Sequence, residues 1–219
     1  MELLQFLSWA CIVFTVGMFS TGLSDLKKMR ESRSTDNIQF LPFLTTCLNN
    51  LGWIYYGVLK EDQTILLVNS IGALLQILYI TVYFNYTKLK RLVTSQVFVA
   101  GIVLTCGWLY FTMFLPEGES RLSQLGFTCS VVTVSMYLSP LSSLAEMVRS
   151  RNVQCLSFPL TVMTLLTSTS WVLYGLEMND CYIVVPNTPG IITSLIRFYL
   201  FWKFGSATES SPSYKPLHI

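Results

Sequence analysis

Trp53 and Trp171 each stand 16 residues before an asparagine, Asn69 and Asn187, inside stretches almost free of charge. An asparagine amide offers two donors and an acceptor without ionising, and an indole offers a broad apolar face beside one N–H. Two such pairs suit a neutral ligand whose hydroxyls both donate and accept and whose ring has a C–H face. Asn49 and Thr167 lie one helical turn before the tryptophans, on the same face, and are of types that also contact hydroxyls. Taken singly, each residue has a plainer reading: a membrane tryptophan packs or anchors at the interface, an asparagine bonds a neighbouring helix, and a threonine bonds its own backbone. Repetition at one spacing favours a shared site.

The elements that must position these residues are membrane helices. Of 219 residues, 52% are apolar, 14% aromatic and 12% charged, about half the charge of an ordinary soluble domain. Seven apolar segments cover approximately residues 4–24, 41–59, 64–84, 94–115, 124–146, 158–176 and 182–202, each near the roughly 20 residues a crossing needs. The first lacks the basic n-region and cleavage site of a secretory signal and is read as a helix. Asp62 follows Trp53 by nine residues and precedes Asn69 by seven, so both sit roughly 10–14 Å along their helices from one turn, near the bilayer midplane. Trp171 and Asn187 flank Asp180 identically.

Shifted by 118 residues, positions 17–84 match 135–202 at 17 of 68 places, including Trp53, Tyr56, Gly57, Asp62, Asn69 and Gly72 with Trp171, Tyr174, Gly175, Asp180, Asn187 and Gly190. Each unit holds three crossings, an odd number, so two units of the same direction need one extra crossing between them. The fold class is therefore all-α integral membrane, seven helices arranged 3+1+3 as two parallel three-helix repeats. The boundaries expected are 1–86 for the first repeat, 87–123 for the linker helix and its loops, 124–204 for the second repeat, and a Ser- and Pro-rich disordered tail at 205–219.

Basic residues fix the direction. Alternate loops and the tail carry 12 Lys and Arg against two, Lys60 and Arg121, on the other side, which places the N-terminus outside or in a lumen and the C-terminus in the cytoplasm. The net charge of +2 with long uncharged runs excludes a nucleic-acid partner. Six scattered cysteines make no ligand spacing, and the lone His218 lies beside the C-terminus, so no catalytic group, metal site or cofactor is expected. No acidic residue occupies the middle third of any segment, as ion coupling would require, and no phosphate-binding GxxxxGK(S/T) loop is present.

From about residue 8 to residue 203 the chain resembles the SWEET family, its animal branch in particular. The likeness rests on MRESRSTDNIQFLPFL at 29–44, the WxxYG boxes at Trp53 and Trp171, the paired asparagines, SMYLSPL at 135–141 and SLIRFYLFWKF near the end. It implies facilitated, bidirectional passage of mono- or disaccharides in a bilayer, with a small-molecule sugar as partner; self-association stays open. Asn49 and Thr167 align with family pocket positions, and Tyr56 and Asp180 with its extracellular gate. The family's bending prolines match Pro42, Pro140 and Pro159, while Gly22 stands where the first helix would carry a fourth. Two rivals remain. A transporter of the wider PQ-loop group, carrying amino or organic acids, would need charge in its pocket; a seven-helix receptor would not be built as a duplication. Plasma membrane and Golgi are both open as locations, and Tyr214 to Leu217 has the form of a sorting signal.

Asn85-Tyr86-Thr87 matches a glycosylation acceptor but falls on the basic, cytoplasmic side. It is expected to stay unmodified, so endoglycosidase treatment should leave the electrophoretic mobility of cell-expressed protein unchanged.

Overall fold

A computed structural model describes residues 2–36, 38–137, 144, 149 and 157–208. The chain opens with α1 (Glu2–Phe19), which passes through a 3-10 turn (Ser20–Gly22) into α2 (Leu23–Ser32). Helices α3 (Leu41–Lys60) and α4 (Gln63–Tyr86) complete the first unit. Then come α5 (Lys90–Leu109), ending in a π turn (Tyr110–Phe114), and α6 (Glu119–Met136), α7 (Phe158–Glu177) and α8 (Cys181–Thr208). Pro140, an expected hinge, lies outside the described residues.

Four spans, Glu2–Ser32, Gln63–Tyr86, Lys90–Phe114 and Cys181–Phe204, are long and apolar enough to cross a membrane by composition alone. The remaining three, α3, α6 and α7, are diluted by Ser, Thr and Asn. Within each unit the tightest pair is the terminal hairpin, α3 on α4 and α7 on α8; α1 packs on α4, and α6 on α8. Between units α1 packs on α7 and α3 on α6, the contacts a two-fold relation by 118 residues demands.

The two hairpin turns are built alike. The N–H of Asp62 reaches back to the carbonyl of Gly57 (2.9 Å) and that of Asp180 to Gly175 (2.8 Å), closing each helix C-terminus. Glu61 and Asn179, again 118 apart, take the left-handed conformation (φ 57° and 51°) that such a close requires. The aspartates then begin the next helices: Asp62 accepts from the N–H of Thr64 and Ile65, and Asp180 from that of Tyr182. A Cβ on Gly57 would meet the Leu66 backbone nitrogen at 3.1 Å, and one on Gly175 the Val184 side chain at 2.9 Å. The glycines of the WxxYG boxes thus let the paired helices approach beside the turn.

Helix α8 continues through Pro186 and Pro189. Pro186 has no N–H for the Tyr182 carbonyl one turn back, and Ser130 of α6 donates to that carbonyl instead (2.7 Å). At the end of α5, Arg121 supplies donors to the Thr112 and Leu115 carbonyls (3.2 and 2.8 Å) around the π turn. Helix α5 itself touches the bundle lightly and presents Phe98, Val99, Ile102 and Val103 outward.

Replacing Gly175 by valine is expected to cost about 1–3 kcal/mol by overpacking the α7–α8 turn and to lower the midpoint of thermal unfolding in detergent. Gly101→Ala, at a site with nothing within 4 Å, should leave it unchanged.

Candidate functional site

A cavity of about 660 Å³ runs between the two units. Its inner level is lined by Trp53, Asn69, Trp171 and Asn187, with Asn49 and Thr167 beside them. All six residues expected from the sequence to meet a ligand therefore line one cavity. At the other extreme the lining reaches Gly22, Ser24, Asp25, Pro42, Ser157 and Pro159. Thr21, Ser24, Pro42, Ser157 and Pro159 are exposed, so this is the mouth. It lies at the end bearing Lys27, Lys28 and Arg30 on α2 and Lys90 and Arg91 on α5, the basic end.

The asparagines are held identically. Asn69 donates through Nδ2 to the Ile65 carbonyl (2.8 Å), and Asn187 to that of Ile183 (2.8 Å). Each bond turns the amide inward and leaves one N–H and the carbonyl oxygen for the cavity. The indoles differ from expectation in one respect, since neither N–H is free. Trp53 Nε1 donates to Thr133 Oγ1 of α6 (3.0 Å), and Trp171 Nε1 to Thr15 Oγ1 of α1 (2.9 Å). The Thr133 oxygen also lies 2.9 Å from Asn49 Oδ1 and 2.8 Å from the Cys129 carbonyl. Its single proton serves one of them at a time. Thr167, the counterpart of Asn49, is buried with no partner for its hydroxyl. What the tryptophans offer the cavity is therefore the ring face, locked in orientation by a cross-unit bond.

Away from the mouth, the second turn-end is shut. Tyr56 donates to Asp180 Oδ2 (2.7 Å), and Tyr174 to both oxygens of Asp62 (3.0 and 2.9 Å). All four are buried and none lines the cavity. Each tyrosine ring also stands edge-on to its own unit's tryptophan, at 5.4 Å and 83° for Trp53 and at 5.7 Å and 85° for Trp171. Lys60 adds an ion pair to Asp180, whereas the matching residue on the other side is Met178. Around these contacts Leu7, Cys11, Val68, Leu125 and Cys129 form an apolar plug.

Sequence reasoning named Tyr56 and Asp180 and missed Tyr174, Asp62, Thr15 and Thr133. The signal was available: the 118-residue shift that generates Trp171 from Trp53 also generates Tyr174 from Tyr56 and Asp62 from Asp180, and, carried back into α1, pairs Thr15 with Thr133. Of the expected hinges, Gly22, Pro42 and Pro159 gather at the mouth. Gly22 sits in the 3-10 turn, where Tyr79 of α4 donates to the Phe19 carbonyl (3.1 Å). Among the described residues no cluster of His, Cys, Asp and Glu could hold a metal.

An all-helical membrane bundle of two parallel triplets, with a cavity at their interface whose inner level is lined by neutral side chains, has the architecture of a membrane carrier. Residues 5–91 and 123–209 match the family described as "Sugar efflux transporter for intercellular exchange". The chain is 61% identical to sugar transporter SWEET1 of Danio rerio over the full length of both. It is 57% identical to that of Homo sapiens, with 89% of this chain and 88% of the relative covered. A eukaryotic SWEET transporter solved at 3.7 Å superposes with a TM-score of 0.86 at 26% identity, covering 93% of this chain and 97% of the other. The chain belongs to the SWEET family of sugar transporters, and is a carrier rather than an enzyme.

If the Tyr174–Asp62 contact carries its own free energy, Tyr174→Phe and Asp62→Asn should each destabilise the protein in detergent. The double variant should lose about 1 kcal/mol less than the sum of the two. Strict additivity in thermal unfolding would show that the contact contributes nothing.

Proposed function

We propose that the protein passes mono- or disaccharides of the glucose kind down their gradient, in either direction and without a coupling ion, by alternating access. The observation that carries this reading is the chamber's neutral inner level: both indoles and both amides line it, and the chamber is open at one end and sealed at the other by bonds between the units. A sugar stacks its C–H face on an indole and exchanges hydrogen bonds with the amides. Such contacts are weak enough to release as readily as they bind. The charged lining residue, Asp25, stands at the mouth rather than at the amide level, which supports uncoupled transport over a proton- or acid-carrying scheme. Amino or organic acids would find no buried counter-charge there.

In this reading Asn69, Asn187, Trp53, Trp171, Asn49 and Thr167 contact the substrate. Tyr56 with Asp180, and Tyr174 with Asp62, form the outer gate, and the basic end faces the cytoplasm, as the charge asymmetry requires. The structure is then inward-open. Passage to the opposite state breaks the cross-unit bonds at the acidic end while the segments around Gly22, Pro42 and Pro159 bend to close the mouth. The two repeats, 1–86 and 124–204, rock as units around the fixed amide level, with 87–123 as the strap that preserves their common direction. Plasma membrane and Golgi both suit a carrier of this polarity.

Asn187→Ala should abolish uptake of labelled glucose into cells while leaving the amount of protein in the membrane unchanged. Undiminished uptake would remove Asn187 from the site.

A further inference from the structure

Two more amides border the cavity, and the repeat does not account for them. Asn50 on α3 is 2% exposed and Gln76 on α4 is 6% exposed, both line the cavity, and neither makes a hydrogen bond to the described residues. Asn50 Nδ2 and Gln76 Oε1 are fully shut in without a partner. A buried amide left without a partner is costly, because its lost hydration is not replaced. Their counterparts in the second unit are short and satisfied: Ser194 donates to the Gly190 carbonyl (2.7 Å), and Ser168 packs over Gly190 against the Tyr137 hydroxyl. Among the described residues the unpartnered amides of the cavity wall both belong to the first unit.

Backbone geometry brings the two amides to one level. Asn50 lies one turn from Trp53 toward the mouth, roughly 4.5 Å, and Gln76 two turns from Asn69 in the same direction, roughly 10 Å. Side chains lean toward the N-terminus of their helix. Helix α3 starts at the mouth, so Asn50 leans toward it; α4 starts at the sealed end, so Gln76 leans back up. The intervening residue of α4 on this face is Gly72, whose absent Cβ leaves room for the Asn50 amide, 2.6 Å from where that carbon would stand. The result is a donor and an acceptor converging just below the indoles, over a glycine, on one side of the axis.

We propose that Asn50 and Gln76 form a second hydroxyl-binding layer that reads the edge of the sugar projecting from the indoles toward the mouth, and so set which hydroxyl pattern is carried. The assignment rests on the sugar-carrier reading. A ring hydroxyl both donates and accepts and can pair with both amides at once. Because these partners come from one unit only, the substrate sits off the two-fold axis and in one preferred orientation.

The test is counterflow in liposomes holding the full-length protein, with the KM measured for D-glucose and for its 2-, 3-, 4- and 6-deoxy analogues. Wild type should show at least one analogue with its KM raised about tenfold, the value of one hydrogen bond to a buried amide. In Asn50→Leu or Gln76→Leu the KM for glucose should rise by about the same factor, while that analogue's stays put, so that the preference disappears. Gln76→Glu, which keeps the acceptor, should restore part of it. Asn50→Ser and Gln76→Ser carry the residue types of the second unit and serve where leucine impairs folding. Equal loss for every sugar, or a preference left intact in folded variants, overturns the second layer. Should wild type fail to exchange glucose at all, the sugar-carrier reading falls and takes this one with it. Loss of exchange in Asn187→Ala beside intact discrimination in the Asn50 and Gln76 variants removes only the second layer.

Discussion

The architecture depends on one constraint: the indole and phenol donors at the tip of each three-helix unit find their acceptors on the other. Trp53 donates to Thr133 and Trp171 to Thr15; Tyr56 donates to Asp180 and Tyr174 to Asp62. Each bond crosses the interface, and each has a twin displaced by 118 residues. Buried in hydrocarbon, a phenol, an indole N–H or a carboxylate without a partner is costly, so the units cannot separate at this end without something replacing those partners. Water entering from the acidic side is the available substitute. In the alternating-access reading proposed above, closure and opening differ by an exchange of protein partners for water.

The same carboxylates anchor the hairpins. Asp62 accepts from Thr64 and Ile65 while receiving Tyr174, and Asp180 accepts from Tyr182 while receiving Tyr56. Asp180 caps its helix with Oδ1 and meets the opposite unit with Oδ2, while Asp62 caps with Oδ1 and receives Tyr174 on both oxygens; each is positioned by local backbone geometry, not by the interface it serves. In the proposed gating scheme the carboxylates keep their helix-capping bonds when the units part and so remain aimed.

Much of this was legible because duplication writes a site twice. Spacing alone put Trp53, Asn69, Trp171 and Asn187 at one depth, and the cavity brings them together. The charge pattern and the odd number of crossings per unit required a strap helix, and α5 stands between the two triplets in the chain, bound to them loosely. What could not be read was pairing across the interface. That Trp53 would spend its N–H on a residue 80 positions away, and Trp171 on one 156 away, depends on packing of α1 on α7 and α3 on α6, and threonine is too common in membrane helices to announce it. Helix ends were equally hidden. Segment seven reads as ending near residue 202, but α8 extends to Thr208 and passes two prolines, one of them made tolerable by Ser130 on another helix. Asn50 and Gln76 escaped notice for the opposite reason: their counterparts are serines, and a search for symmetry discards whatever is not repeated.

Departures from symmetry are where direction can enter a machine built from two equal halves. The sealed end has Lys60 on Asp180 but Met178 opposite, so one carboxylate is charge-paired and the other meets only neutral donors. At the mouth, Gly22 in its 3-10 turn stands where the repeat would place Pro140. Glycine keeps its N–H and gains freedom, whereas proline removes the donor and fixes φ, so the proposed hinges of the two units differ in sequence. A substrate held by matched amides on both sides would feel no bias between them. If Asn50 and Gln76 bind as proposed, a substrate held also by the first unit's wall would follow that unit, with the strap helix packed only lightly against the bundle.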